Sequence, residues 1–230
     1  MSLTGISGRG RIHALLGPQG CGKSLIAAML CHTKGICEGK KVISNTPFHF
    51  PDAQPEQVVK LTLDVFKENF TKREFWQDSI VYLDEPQNFL HSRTTMSHLN
   101  MAWAKFIPTI RHLNADFLYS TQRWMSVDVV LRDATSWKGV CEYHPELPCK
   151  RCKGSGIYKG LTCERCLGFK DPETQVCACG WAMVIFTPMR GYRIRKWIRV
   201  WGPDYFGTYD TLHSFSVPVK ALNFDTAEVF

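Results

Sequence analysis

The sequence predicts an α/β protein: a mainly parallel sheet sandwiched by helices, with a small cysteine-rich insertion late in the chain. Three observations carry this expectation. Short, nearly all-apolar stretches alternate with stretches of helical spacing through residues 11–131, the signature of strands buried on both faces. A glycine-rich loop joins the first of these strands to a run of helix formers. Seven of the ten cysteines fall between Cys141 and Cys179, in a segment with too few aliphatic residues to fold without a staple.

Taken in order, residues 11–16 (RIHALL) form a strand and residues 24–31 (SLIAAMLC) a helix after the glycine loop. Residues 41–46 (KVISNT) read as a second strand ended by Pro47. Leu63, Phe66 and Phe70 lie at helical spacing within residues 61–75, and residues 80–83 are a third, apolar strand. A helix over about 98–112 leads to a fourth strand at 117–120, and 125–131 reads as another short helix. From 141 to 180 Gly, Pro, Lys and Cys dominate, and the apolar pattern resumes from Trp181 to about Trp201. The expected division is a core at 1–140, an insertion at 141–180 and C-terminal strands at 181–230 that complete the core.

A chain of 230 residues with 44% hydrophobic residues can bury one ordinary domain plus an appendage. Lysine and arginine outnumber the acids 28 to 21, giving +7, which favours an acidic partner such as nucleic acid or anionic lipid. The first residues lack the pattern of a secretory signal. The late apolar run at 181–186 is far shorter than the roughly 20 residues a membrane helix needs. No transmembrane segment is expected, and the location expected is intracellular, where thiols stay reduced. Clustered cysteines then point to metal rather than disulfides.

The loop Gly17-Pro18-Gln19-Gly20-Cys21-Gly22-Lys23-Ser24 matches G-x-x-x-x-G-K-[ST], a phosphate-binding pattern. Its glycines let successive N–H groups point at phosphate oxygens, and the following helix adds its positive dipole end. Lys23 should reach the β- and γ-phosphates of ATP, and Ser24 should ligate Mg2+. Residues 80–85 (IVYLDE) form an apolar strand ending in two acids. Asp84 would hold the magnesium shell, directly or through water. Glu85 is suited to act as general base on water, which argues against a nucleotide kinase with a zinc lid. Ser120-Thr121-Gln122 closes the fourth strand with polar groups, where ligands sit in parallel sheets. Gln122 is placed to sense the γ-phosphate or orient the water.

Together, GPQGCGKS, IVYLDEPQNFLHSR and RHLNADFLYSTQR with the following Val129-Val130-Leu131-Arg132 resemble the FtsK/HerA superfamily of ring-forming, DNA-pumping P-loop ATPases. Within it the similarity is to Zot-like proteins and to the packaging ATPases of membrane-containing icosahedral viruses. The resemblance covers residues 11–133, and residues 205–211 (YFGTYDT) also look like a YDT signature seen in some Zot-like proteins. It implies a homo-oligomeric ring, expected as a hexamer, whose ATP site is completed by an arginine from the next subunit. Arg111 is the first candidate for that arginine and Arg93 the second. Zot-like proteins of filamentous phages generally carry a membrane segment after this domain, and the chain departs from that pattern.

The insertion holds four ligand-like pairs: Cys141-x-x-His144, Cys149-x-x-Cys152, Cys163-x-x-Cys166 and Cys177-x-Cys179. Pairs two residues apart can point at one metal from a tight turn, and two pairs complete a tetrahedral Zn2+ site. CKRCKGSG at 149–156, and less completely CERCLG at 163–168, resemble the CxxCxGxG repeat of the DnaJ zinc domain. The nesting of pairs in that family implies one zinc on Cys149, Cys152, Cys163 and Cys166. It implies a second on Cys141, His144, Cys177 and Cys179.

In residues 191–201 (GYRIRKWIRVW), strand alternation puts Arg193, Arg195, Trp197, Arg199 and Trp201 on one face. Such a face suits phosphate contact and base stacking, or equally an edge strand that uses charge to resist aggregation. The leading expectation is a Mg2+-dependent ring ATPase that moves double-stranded DNA into a viral capsid, with a capsid or portal-vertex protein as a further partner. Its setting would be the host cytoplasm or the virion. The alternatives are a Zot-like ATPase driving virion assembly or export at a membrane, and a zinc-bearing binding protein that uses nucleotide as a switch.

Overall fold

The computed structural model describes residues 10–88, 98–170, 175–177, 179–189 and 195–209. Arg93, Arg193 and residues 210–211 of the YDT segment lie outside them.

Among the described residues, ten strands and five α-helices follow one another as β1 (Ile12–Leu16), α1 (Lys23–Lys34), β2 (Lys41–Ser44), β3 (Val58–Lys60), α2 (Leu63–Asn69), α3 (Arg73–Trp76), β4 (Ser79–Asp84), α4 (His98–Phe106), β5 (Asp116–Thr121), α5 (Val129–Ala134), β6 (Trp137–Glu146), β7 (Ile157–Tyr158), β8 (Leu161–Thr162), β9 (Cys179–Pro188) and β10 (Lys196–Trp201). Eight strands make one sheet in the order β10-β9-β6-β1-β5-β4-β2-β3. From β6 to β3 all neighbours are parallel. The β6-β9-β10 edge is antiparallel.

Helices cover both faces because β1, β4 and β5 have apolar side chains on both. α1 buries Leu25, Ile26, Met29 and Leu30 on a core with Leu15, Tyr82, Leu118, Val184 and Phe186. The alternate residues Ala14, Val81, Leu83 and Phe117 share a core with α2 to α5, which contribute Phe66, Trp76, Trp103, Phe106 and Leu131. In that second core the Phe66 and Trp103 rings stack at 4.2 Å. Each fully buried side chain of this size contributes roughly 1.5–3 kcal/mol.

Several elements differ from the sequence expectation. The helix expected over 61–75 is split in two, because the Trp76 indole N–H donates to the carbonyl of Asn69 at 2.8 Å and so takes an acceptor at the break. The short helix expected at 125–131 begins later. Asp128 caps it by accepting from Val130 N–H at 2.8 Å. β3 is only three residues long, at the sheet edge. The largest difference is β6, which pairs with β9 without interruption from Trp137↔Pro188 to Glu146↔Cys179. Sheet pairing therefore runs well into the segment assigned to the insertion at 141–180, and the chain leaves the sheet only after Glu146.

Candidate nucleotide site and cysteine centre

β1, β5 and β4 are adjacent and parallel, so the segments after them emerge at one edge of the sheet. Those segments are the glycine loop, Gln122-Arg123 and Asp84-Glu85. At about 4.8 Å per strand step, β1 and β4 are roughly 10 Å apart, the distance that separates the loop from the acids across β5.

Gly22 caps α1 in a left-handed conformation (φ +87°), and no acid occupies the helix's first turn, leaving its N-terminus open to an anion. Lys23 is buried, and its ammonium donates to the carbonyls of Gly17 and Pro18, both at 2.9 Å. Ser24 follows in that first turn. The loop rests on the antiparallel edge: a Cβ on Gly22 would stand 2.7 Å from Ala182 Cβ, and one on Gly17 would stand 3.1 Å from the Cys141 carbonyl. Pro18, Gln19 and Gly20 are exposed and Cys21 is buried.

Asp84 is held from three sides. Its N–H donates to Asn45 Oδ1 at 2.8 Å and its carbonyl accepts from Asn45 Nδ2 at 2.9 Å. Its carboxylate accepts from the Ser120 hydroxyl and, at 3.4 Å, from Tyr82. Burial first, and then the Asp84 charge, push the Tyr82 hydroxyl well above its ordinary pKa, so it stays a donor. Glu85 adopts a left-handed backbone (φ +49°), a costly conformation for a non-glycine residue and one that clusters at functional sites. Its N–H donates to the Ser120 carbonyl at 2.9 Å. Its carboxylate accepts from Gln87 Nε2 and, at 3.4 Å, from Gln122 N–H. A cavity of about 360 Å³ opens here, lined by Glu85, Gln87, Gln122, Arg123 and Ser126.

The fold thus brings Lys23, Ser24, Asp84, Glu85 and Gln122 to one edge. It does not bring Arg111 there. Arg111 ends the 3-10 turn Ile107–Arg111, ahead of β5, at the opposite end of a strand about 20 Å long. Within one chain it cannot touch phosphate at this edge. Sequence reading missed Asn45, Gln87 and Arg123. Gln87 and Arg123 sit within two residues of recognised positions, but nothing in the sequence pairs Asn45 with Asp84 across the sheet.

In the insertion, the sulfurs of Cys149, Cys152, Cys163 and Cys166 all lie within 4.8 Å of one another and are buried. Cys152 Sγ and Cys166 Sγ are 3.7 Å apart, close to the edge of a tetrahedron with Zn–S near 2.3 Å, about 3.8 Å. Each pair turns the same way: Lys153-Gly154 and Leu167-Gly168 are left-handed. Burial opposes the Cys152 thiolate, but the N–H groups of Gly156 and Gly154 together with the Cys166 and Cys149 thiols outweigh it and bring its pKa down to about 7. Four buried sulfurs at this spacing fit Zn2+ and leave no open position.

The second set does not assemble. Cys141 lies in the core beneath the phosphate loop, where burial pushes its thiol up to about 12. His144, three residues on along extended β6, faces the other way and stacks on Trp181 at 3.9 Å. A C-x-x-H pair converges on a metal only from a turn, and here it is strand. Cys177 and Cys179 pack beside the inner four.

The fold and the phosphate-loop edge are those of a P-loop NTPase. No protein-family model and no curated protein sequence matches the chain. Among solved structures, the chain is similar to the N-terminal domain of zonular occludens toxin from Neisseria meningitidis, with TM-score 0.52 and 14% identity over 88% of this chain and 100% of that one. The DNA-packaging ATPase B204 of Sulfolobus turreted icosahedral virus gives TM-score 0.48 and 13% identity, over 81% and 100%. The flagellar accessory protein FlaH of Methanocaldococcus jannaschii gives 0.47 and 10%, over 86% and 88%. The likeness to the zonular occludens toxin domain is one of fold, and it agrees with the Zot-like part of the resemblance read from the motifs.

Proposed function

We propose that the protein is a Mg2+-dependent ATP hydrolase that works as a ring-forming motor on double-stranded DNA, in the packaging of a viral genome. The observation that carries this reading is the convergence of Lys23, Asp84, Glu85 and Gln122 at the edge where β1, β4 and β5 end.

In this reading the loop amides and Lys23 bind the phosphates, and Ser24 and Asp84 hold Mg2+, which neutralises charge building on the γ-phosphate. Glu85 takes a proton from the attacking water, and its contacts with Gln87 and Gln122 fix where that carboxylate lies. Gln122 reads the γ-phosphate. Arg111, remote from its own loop, is assigned to the site of the next subunit. The four insertion cysteines hold a structural Zn2+. Arg195, just ahead of β10, and Trp197 and Arg199 on it are exposed, while Ile198 and Val200 are buried. That alternation and the +7 charge support a face for the DNA backbone. Among the described residues no helix is long and apolar enough to cross a membrane. Host cytoplasm or virion is the proposed setting.

The test is phosphate release with and without duplex DNA, alongside native mass. Stimulation by duplex and a ring-sized mass support the reading. Activity indifferent to DNA but raised by a virion protein would favour the assembly or export role instead. For Arg111, mixing Arg111→Ala with Lys23→Ala subunits should restore activity at hybrid interfaces, and failure to do so removes the trans assignment.

A further inference from the structure

A second group of metal-type ligands lies on the α1 face of the sheet, away from both the phosphate loop and the insertion. His32 is in the last turn of α1, Cys37 is in the 3-10 turn Ile36–Glu38 that follows, and Asp52 is in the loop after β2. We propose that His32 Nε2, Cys37 Sγ and the Asp52 carboxylate form a site for a borderline divalent cation of the zinc type, with water as the fourth ligand.

The three ligand atoms lie within 4.8 Å of one another. Nε2 is 2.9 Å and 3.0 Å from the two Asp52 oxygens, and Cys37 Sγ is 3.9 Å from Nε2. A tetrahedral zinc with bonds of 2.0–2.3 Å needs ligand separations of about 3.3–3.6 Å, so shifts of a few tenths of an ångström fit His32 to each of the other two, and rotation of the exposed Cys37 and Asp52 side chains, by about 1 Å at most from their present separation, admits the ion. The imidazole is already aimed. Its ring stacks on Phe50 at 5.3 Å and meets Tyr205 edge-on at 5.7 Å. Nδ1 lies 3.3 Å from the Tyr205 hydroxyl. When Nδ1–H donates to that oxygen, the Nε2 lone pair faces Cys37 and Asp52, the outer-shell arrangement that fixes a metal-binding histidine.

Thiolate and imidazole together disfavour Mg2+ and Ca2+, which take oxygen ligands, and select zinc-like ions. Cys37 and Asp52 are exposed, so the ion exchanges with solvent, unlike one among the buried insertion cysteines. The site would pin the far end of the helix that begins at Lys23. It would join that end to the segment paired with the chain's last described residues, where His49 N–H donates to Thr208 O at 2.7 Å and Phe48 bridges Tyr209.

The experiment titrates Co2+ into zinc-loaded, fully folded protein freed of excess metal. Wild-type protein should take up one further equivalent with a thiolate-to-cobalt charge-transfer band. Cys37→Ser should lose the band, His32→Gln should lose stoichiometric uptake, and Asp52→Asn should weaken it at least about tenfold. Cys37 and Asp52 are surface positions, so those two variants fold even if His32→Gln does not. No uptake by wild type, or uptake and a band unchanged in Cys37→Ser and Asp52→Asn, overturns the proposal. Because the readout compares proteins with identical insertion cysteines, it does not depend on what those cysteines hold.

Discussion

The side chain of Asn45 clamps the backbone of Asp84 from both sides, accepting from its N–H and donating to its carbonyl. Asn45 follows β2 and Asp84 ends β4, so the clamp fixes where the central acid leaves the sheet. Asn45→Ala leaves both backbone groups without that partner, at a cost on the order of 1–3 kcal/mol. Loss of a group that orients a metal ligand typically costs about 10–100-fold in metal affinity. Thermal melting and the Mg2+ dependence of ATP hydrolysis should show both effects, and Asn45→Asp should recover only the bond from the Asp84 N–H.

Gly22 has two reasons to be glycine. Its φ of +87° costs an alanine about 1–2 kcal/mol, and the added Cβ would collide with Ala182. Gly22→Ala should lower the melting temperature and abolish binding of a fluorescent ATP analogue. Adding Ala182→Gly should restore part of the stability, because it removes the collision but not the strain.

A hydrogen-bonded chain positions Glu85: the Thr121 hydroxyl donates to Gln87 Oε1 at 3.2 Å, and Gln87 Nε2 donates to Glu85. Gln87→Ala should therefore lower kcat by about tenfold or more while leaving KM for ATP nearly unchanged, since misplacing a catalytic group penalises the chemical step. A rise in KM with unchanged kcat would place Gln87 in nucleotide binding instead.

The sequence made the phosphate loop and the acid pair legible because their chemistry sits in contiguous residues, Gly17 to Ser24 and Asp84-Glu85. The central strands were legible for a similar reason: burial on both faces leaves them uniformly apolar. What could not be read was set by pairing between distant segments. Asn45 meets Asp84 only once β2 and β4 are neighbours. Cys141-x-x-His144 has the spacing of a metal turn, and only its pairing with β9 makes it strand and sends the two side chains to opposite faces. Arg111 sits next to a strand whose other end carries the site, and its remoteness follows from the direction of β5.

Arg165 ties the insertion to the sheet. It donates to Glu146 through Nη2 at 2.7 Å and Nε at 3.1 Å, and its guanidinium lies 5.0 Å from the Trp201 ring centre. The Arg165 hydrogen bonds hold the Glu146 carboxyl below the usual carboxylate range. A depressed carboxylate contributes fully above its unfolded pKa, and that contribution is lost as pH falls through the lower folded value. Arg165→Ala should lower the melting temperature at pH 7, with a gap to wild type that narrows in acid. A gap that widened in acid would contradict the assignment.

The central claim, that the strand-end site hydrolyses ATP with Glu85 as base, is tested most directly by steady-state phosphate release from Mg2+·ATP by wild-type and Glu85→Gln proteins, with duplex DNA present. The account predicts duplex-stimulated release by wild type and a fall of about 10²–10⁴-fold in Glu85→Gln, with ATP still bound. Glu85→Gln protein that releases phosphate as fast as wild type would contradict it.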